Sequence, residues 1–421
     1  MTNSGRPLRI ALAITALYGV SGGAERVLVD VANGLHRRGH DVSVLTYQVS
    51  NGPSFYPLDY GIRRFDGRQR EGRSHGVDLT SLSGVARRRR SVGIVTWLAR
   101  YTPRMLRSRR MLRIADPDLV IAFLPSSFPY MTVAAVGTGI PVVASIHNVP
   151  WRELGGDPER WDQNPVDISV RRWALRRCGA ITVLLDSFRE QLDTDLHAKT
   201  SVLPNPVEPS TTGVASVDDS AENEVLTVGR LYPAKDHATL IRAWAIVEPL
   251  HPNWRLRIVG EGPLGPELEA LIDELELERV QIDPPRTDIE QAYTAASLFV
   301  LPSRFEGFGL VTVEAMAHGL PTVGFADCDG TNEVIEHGTS GVLVEPGTDR
   351  VAALADGLQR LMGDEAERRR LAANGPASAT RFAPDRVIDA WEQLGYEVAS
   401  STSGSRHRLL QLVRFPRRRA R

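Results

Sequence analysis

Two rhythms alternate along nearly the whole chain. Short unbroken apolar runs at residues 8–16, 41–47, 119–124, 141–146 and 180–185 are separated by stretches whose apolar positions recur at helical spacing. In the first such stretch, 24–38, Val27, Leu28, Val31 and Leu35 share one face and Gly39 supplies the stop. Unbroken apolar runs of this kind predict strands buried on both faces of a parallel sheet, under crossover helices. A last short strand is expected at 202–203, before Pro204-Asn205-Pro206.

Residues 207–224 interrupt this rhythm with Pro, Ser, Thr, Gly and acidic residues, a linker composition. The alternation then restarts, with strands expected at 225–228, 255–259, 298–301, 322–325 and 341–344. Helices are expected at 238–247, 264–275 and 310–318, with more after Arg350. The pattern predicts an α/β chain of two Rossmann-like domains facing across a cleft, at 1–206 and 225–380. Ligands of such folds sit at the carboxyl ends of strands.

A length of 421 residues agrees with two cores rather than one. Hydrophobic residues at 42% and charged residues at 24% are typical of a soluble globular chain. A net charge of −1 argues against nucleic acid as a partner. Cys178 and Cys328 are too few for a disulfide framework, lack metal-ligand spacing and suit a reducing cytoplasm. Arg6 and Arg9 before the apolar run 10–20 resemble a leader in outline. With no small-x-small cleavage site, and Gly22-Gly23 leading into a helix, a first strand is expected instead. The longest candidate for a membrane span, 129–146, is broken by Gly137, Gly139 and Pro141.

Two segments depart from this neutral balance. Residues 87–113, opened by Arg87 and closed by Arg113, hold ten arginines, no acidic residue and interleaved apolar side chains. The tail at 399–421 carries seven arginines and the apolar patch Leu409-Leu410-Gln411-Leu412-Val413. Either is suited to an anionic membrane surface, and either is equally a solvated helix face.

Candidate chemistry concentrates in LPSRFEGFGLVTVEAMAHGLP, residues 301–321. A strand, a Gly-Phe-Gly turn and a helix present backbone N–H groups and a positive helix end to an anion. Glu306 precedes the turn and Glu314 lies in the first helical turns. A second carboxylate beside a phosphate is repulsive unless it reaches a neutral part of the ligand, such as a sugar hydroxyl pair. The other reading is a helix cap and a surface Glu. Arg230 and Lys235 share one loop after a strand and suit a diphosphate, Arg as a bidentate clamp and Lys as a point charge. Pairing with Glu222 or Asp236 is the alternative. Gly22-Gly23 lets backbone approach a phosphate, without the G-x-G-x-x-G fingerprint. His147 ends a strand and can stand in the crevice, or be structural. The D-x-D pairs at Asp193/Asp195 and Asp327/Asp329 read as structural or solvent-facing.

Taken together, these pieces resemble the family 4 glycosyltransferases, retaining enzymes of the GT-B architecture. The resemblance rests on Gly22-Gly23-Ala24-Glu25-Arg26, Gly39-His40, His147-Asn148 and Asn205-Pro206-Val207. It is densest from Val228-Gly229-Arg230-Leu231 through IVGEGP at 258–263 and the 301–321 segment to GVLV at 341–344. The nearest likeness is to enzymes that add hexoses or N-acetylhexosamines to lipid-linked glycans or exopolysaccharides. It implies a C-terminal helix at 381–398 crossing back to the first domain.

The resemblance also implies roles. Arg230 and Lys235 bind the nucleotide diphosphate, with backbone amides around Phe308, Gly309 and Leu310 completing the cradle. Glu314 holds the ribose, Glu306 contacts the transferred sugar, and His147 sits by the sugar and the reacting centre. Gly23 approaches the phosphates from the other domain. The base lies near Pro285 and Arg286, where the family usually has a glycine and this chain has two prolines without N–H donors. The expected donor is a UDP-sugar and the acceptor a glycan or lipid-linked glycan, with no metal or other cofactor. The expected location is cytoplasmic, peripheral to the membrane. A non-catalytic nucleotide- or glycan-binding protein and a UDP-sugar epimerase are the alternatives.

Overall fold

The computed structural model describes residues 6–18, 22–47, 54–66, 90–157, 164–215, 217, 222–286 and 288–412, at 90–100 and 402–412 by backbone alone. They form two compact units, one of Met1–Pro204 with Val387–Arg421 and one of Asn205–Arg386.

In the first unit the strands are β1 (Arg9–Ile14), β2 (Asp41–Thr46), β3 (Arg63–Asp66), β4 (Leu119–Phe123), β5 (Val142–Ser145), β6 (Ala180–Val183) and β7 (Thr200–Val202). They form one parallel sheet of order β3-β2-β1-β4-β5-β6-β7, in which Ile10 pairs with Val42 on one side and Leu119 on the other. β3, an Arg-Arg-Phe-Asp edge strand largely open to solvent, has no apolar run to announce it. The helices used below are α1 (Gly23–Arg37), α2 (Arg90–Ala115), α3 (Phe128–Ala135) and α4 (Pro165–Arg177).

The second unit repeats the scheme with β8 (Asn223–Val228), β9 (Trp254–Val259), β10 (Val280–Asp283), β11 (Leu298–Leu301), β12 (Thr322–Phe325) and β13 (Gly341–Val344). Their order is β10-β9-β8-β11-β12-β13, again all parallel. Alternate residues of one strand enter opposite cores, as two-sided burial requires. Val225, Leu298 and Val300 pack with Leu240 and Trp244, whereas Leu226, Phe299 and Leu301 pack with Tyr293 and Ala315. Around this sheet lie α5 (His237–Val247), α6 (Ile289–Ala295) and α7 (Leu310–Ala317). The polar stretch after Asn205 lies against this unit: Ala215 N–H donates to the His318 carbonyl, and the fully buried Arg368 donates to the Val217 carbonyl.

In each sheet the chain leaves two neighbouring strands in opposite directions, β1 and β4 in one and β8 and β11 in the other. The crevice outside the carboxyl ends at such a switch point is where open α/β sheets take ligands. The C-terminal helix, expected at 381–398, is α8 (Pro384–Leu412), which runs on into the stretch expected as a basic tail. From Val387 it belongs to the first unit: Glu392 meets His40 Nε2 at 3.0 Å, and Trp391 stacks on Phe123. Residues 87–89 and 413–421 of the two basic segments lie outside the described residues.

Candidate functional site

At the switch point of the second unit, the loop after β8 carries Arg230 and Lys235. Gly229 N–H donates to the Val259 carbonyl and Leu231 N–H to the Glu261 carbonyl, so this loop lies flat on the loop after β9. A Cβ on Gly260 would stand 1.9 Å from the Gly229 carbonyl oxygen, so only glycine allows that approach. Arg230 projects to solvent over the Tyr232 ring, 5.2 Å from its centroid, and has no carboxylate partner among the described residues. A 3₁₀ turn, Pro233–Lys235, then brings Lys235 inward.

Two contacts buckle this loop to the one after β11: Arg304 N–H donates to the Ala234 carbonyl at 2.9 Å, and Arg304 Nε meets Asp236 at 3.0 Å. Glu222 is taken by Arg255. Neither carboxylate weighed as a surface partner therefore holds Arg230 or Lys235. Instead Lys235 Nζ lies 2.5 Å from Glu306 Oε1, which also accepts from the Ser303 hydroxyl at 2.6 Å. Next in the chain after Asp236, His237 is buried, with no hydrogen-bond partner for either ring nitrogen among the described residues. Burial first, and then the Lys235 charge, pushes its pKa down to about 4, so the imidazole is neutral at pH 7.

Glu306 is gripped from behind as well. Its N–H donates to the Asp329 carbonyl at 2.7 Å, and Gly330, at φ +95°, packs where any Cβ would come within 2.5 Å of the Glu306 carbonyl oxygen. Further along, Phe308 is buried edge-on against Phe382, which anchors the turn. Gly309 adopts a left-handed conformation (φ 75°, ψ 49°), and its carbonyl accepts from Thr312 N–H, starting α7 at Leu310. The positive end of α7 thus opens beside Glu306. One turn into α7, Glu314 is nearly buried and accepts the Tyr293 hydroxyl at 2.8 Å.

Pro285 and Arg286 lie on the exposed loop after β10, where Arg286 is bidentate to Asp288 at 2.9 and 2.8 Å. That guanidinium holds the Asp288 carboxyl below its usual value. Of the two D-x-D pairs, Asp193 and Asp195 both meet Arg176, at 2.5 and 3.3 Å, and Asp327 of the second meets Arg350 at 2.6 Å.

The other two predicted residues belong to the first unit. Gly23 opens α1 beyond the carboxyl end of β1. His147 lies two residues beyond β5 rather than at its end, stacked on Phe123 at 4.7 Å, with Nε2 2.9 Å from the Ser145 hydroxyl. Thr182 in turn donates to Ser145 at 2.8 Å. Sequence reasoning missed Ser303, Tyr293, Arg304 and Gly330. Ser303 was within reach as a hydroxyl three residues before Glu306, but Tyr293 lies 21 residues before Glu314 with no shared motif.

Comparison with known proteins places the chain. Residues 21–211 match the family described as Glycosyltransferase Family 4, and residues 215–378 the one described as Glycosyl transferases group 1. The chain is 30% identical over 393 residues to an exopolysaccharide phosphotransferase of Streptomyces coelicolor, covering 90% of this chain but only 40% of that protein. It is 27% identical over 397 residues to the Campylobacter jejuni enzyme named GalNAc-α-(1→4)-GalNAc-α-(1→3)-diNAcBac-PP-undecaprenol α-1,4-N-acetyl-D-galactosaminyltransferase, covering 94% of this chain and 100% of that one. Among solved structures, sucrose-phosphate synthase of Thermosynechococcus elongatus superposes with a TM-score of 0.73 at 20% identity, over 93% of this chain and 99% of that one. HepE of Anabaena, solved with UDP and glucose, superposes at 0.68 and 22% identity, over 92% and 98%. These likenesses show the two-domain α/β architecture called GT-B. With both of its domains matched in sequence order, the chain belongs to the family 4 glycosyltransferases.

Proposed function

We propose that this glycosyltransferase moves a hexose or N-acetylhexosamine from a UDP-sugar, with retention at the anomeric carbon, to a lipid-linked or polysaccharide acceptor at the membrane surface. The observation that carries the reading is the Lys235–Glu306–Ser303 constellation beside the free face of Arg230 at a topological switch point. The UDP bound by HepE and the undecaprenol-linked glycan in the Campylobacter enzyme's name support the donor and acceptor classes.

As the sugar–phosphate bond breaks, positive charge grows at the anomeric carbon and negative charge on the departing diphosphate. Arg230, Lys235 and the amides from Phe308 to Leu310 stabilise that leaving group from fixed positions, so no metal is needed to neutralise it. Glu306, held by Lys235 and Ser303, presents its remaining oxygen to the sugar. Glu314, oriented by Tyr293, takes the ribose hydroxyls, with the base near Pro285 and Arg286. His147 lies by the sugar, and Gly23 approaches the phosphates. Acceptor attack comes from the face the diphosphate leaves, and the leaving phosphate takes the acceptor proton.

A panel of sugar nucleotides, scored by nucleoside diphosphate release and by thermal shift, tests the reading. The expected result is turnover with a UDP-hexose or UDP-N-acetylhexosamine that is lost in Lys235→Ala. Undiminished release by that variant would overturn it.

A further inference from the structure

The first unit carries a surface that the donor chemistry does not use. Helices α2, α3 and α4 contact one another and form one helical layer. Along α2, Tyr101, Ser108, Met111 and Leu112 are buried, while Leu106, Arg107, Arg110, Arg113 and Ile114 face solvent. Their spacings of three, four and seven residues put all five on one helical face. Leu106 is 65% exposed and Ile114 57% exposed, so two large aliphatic side chains stand in water among arginines.

Not every arginine of α2 points outward. Arg104 lies over the Tyr101 and Tyr130 rings, and Arg109 donates to the Ala134 and Val136 carbonyls. The outward set is therefore a selection. Among the described residues no carboxylate pairs with Arg107, Arg110 or Arg113, and residues 90–115 contain no Asp or Glu. On the neighbouring α4, Trp173 is 40% exposed beside exposed Arg177, while Arg172 donates to the Leu154 carbonyl and Arg176 is held by Asp193 and Asp195. The acidic residue of α4, Asp167, is buried in a 2.9 Å ion pair with Arg171.

An ordinary solvated helix interleaves charges of both signs and forms pairs one turn apart. Here Arg107, Arg110 and Arg113, with no carboxylate partner among the described residues, stand among exposed Leu106 and Ile114, and the exposed indole of Trp173 on the neighbouring helix favours the boundary between water and lipid. We propose that the outward face of α2 and α4 docks on an anionic lipid surface, the arginines meeting headgroup phosphates and Leu106, Ile114 and Trp173 entering the interface. This assigns the membrane contact suggested above to particular side chains. It is independent of the donor site, so vesicle binding and sugar transfer can fail separately.

The test is sedimentation of the full chain with vesicles of phosphatidylcholine and phosphatidylglycerol, against vesicles of phosphatidylcholine alone. The wild type is expected to bind the anionic vesicles and not the neutral ones. R107Q/R110Q/R113Q is expected to weaken partitioning by about one to two orders of magnitude. L106S/I114S is expected to weaken it at unchanged charge. Because these side chains are exposed, both variants should keep the wild-type unfolding midpoint. Trp173→Phe gives a readout that needs no loss of binding: it should remove most of the tryptophan quenching caused by brominated lipid. Equal sedimentation of the wild type and both variants overturns the proposal. So does binding of a DNA duplex through the same arginines with no vesicle binding, which would make the face a polyanion site.

Discussion

Lys235 Nζ and Glu306 Oε1 are 2.5 Å apart, and the Ser303 hydroxyl shares the same oxygen. The pair couples a cation meant for the leaving group to the carboxylate meant for the sugar, so removing one partner disturbs both. Lys235→Ala leaves a nearly buried carboxylate with one hydroxyl, at a cost of roughly 1–3 kcal/mol in stability. It should lower kcat/KM by about 10²–10³-fold. Glu306→Gln added to Lys235→Ala should return most of the stability and none of the turnover. Urea unfolding and initial rates on the two singles and the double give the coupling energy. Strictly additive stability effects would show that the two groups act independently.

The loop behind Glu306 makes a steric prediction. Gly330 combines a left-handed backbone with a Cβ direction blocked by the Glu306 carbonyl oxygen at 2.5 Å. Gly330→Ala should therefore lose about 2–4 kcal/mol, the sum of conformational strain and overpacking. Turnover should fall further, because relief requires Glu306 to move. Gly347 is the matched control, with φ +53° and nothing within 4 Å of a Cβ. Gly347→Ala should cost only the strain, about 1–2 kcal/mol, with normal turnover. Similar losses in both variants would mean that the clamp on Glu306 is slack.

His237 gives the second unit a pH dependence of definite sign. Its pKa is about 4 in the folded chain against 6.5 for an unperturbed imidazole, so between these values the unfolded state binds more protons. The contribution is fully present above about pH 6.5 and is lost as pH falls from there toward 4, by roughly 3 kcal/mol in all. Urea midpoints from pH 7 to pH 4.5 should fall in the wild type and fall less steeply in His237→Gln. Parallel curves for the two proteins would exclude His237 as the source.

Much of this was legible in the chain because parallel strands buried on both faces leave unbroken apolar runs, as at β1, β4, β11 and β12. The edge strands β3 and β10 were not, since half-exposed positions such as Arg63, Arg64 and Gln281 give no run to read. Donor-site residues could be named where one loop held them all, as from Glu306 to Leu310. Their partners come from other loops: Arg304 buckles to Ala234, Tyr293 orients Glu314, and Gly330 backs Glu306. Such contacts are set by the order of the strands, which no local spacing encodes. The polar composition of 207–224 predicts a linker, but not that the backbone groups of Ala215 and Val217 within it are tied to His318 and Arg368.

The same limit applies to His147, whose ring is held from a helix more than two hundred residues later in the chain. Trp391 of α8 stacks on Phe123 at 6.1 Å and Phe123 on His147 at 4.7 Å, with Ser145 and Thr182 fixing the imidazole from the side. Trp391 is 1% exposed, so Trp391→Ala opens a large cavity and should cost about 3–5 kcal/mol. Phe123 then loses its backing, and kcat/KM should fall at temperatures where the variant is still fully folded. Trp391→Phe keeps a ring in the stack and should recover most of the rate while remaining less stable than the wild type. Circular dichroism on melting, paired with rates measured well below each midpoint, separates the two effects. If Trp391→Ala loses stability but keeps the wild-type rate, the stack serves folding alone and His147 owes its position to Ser145.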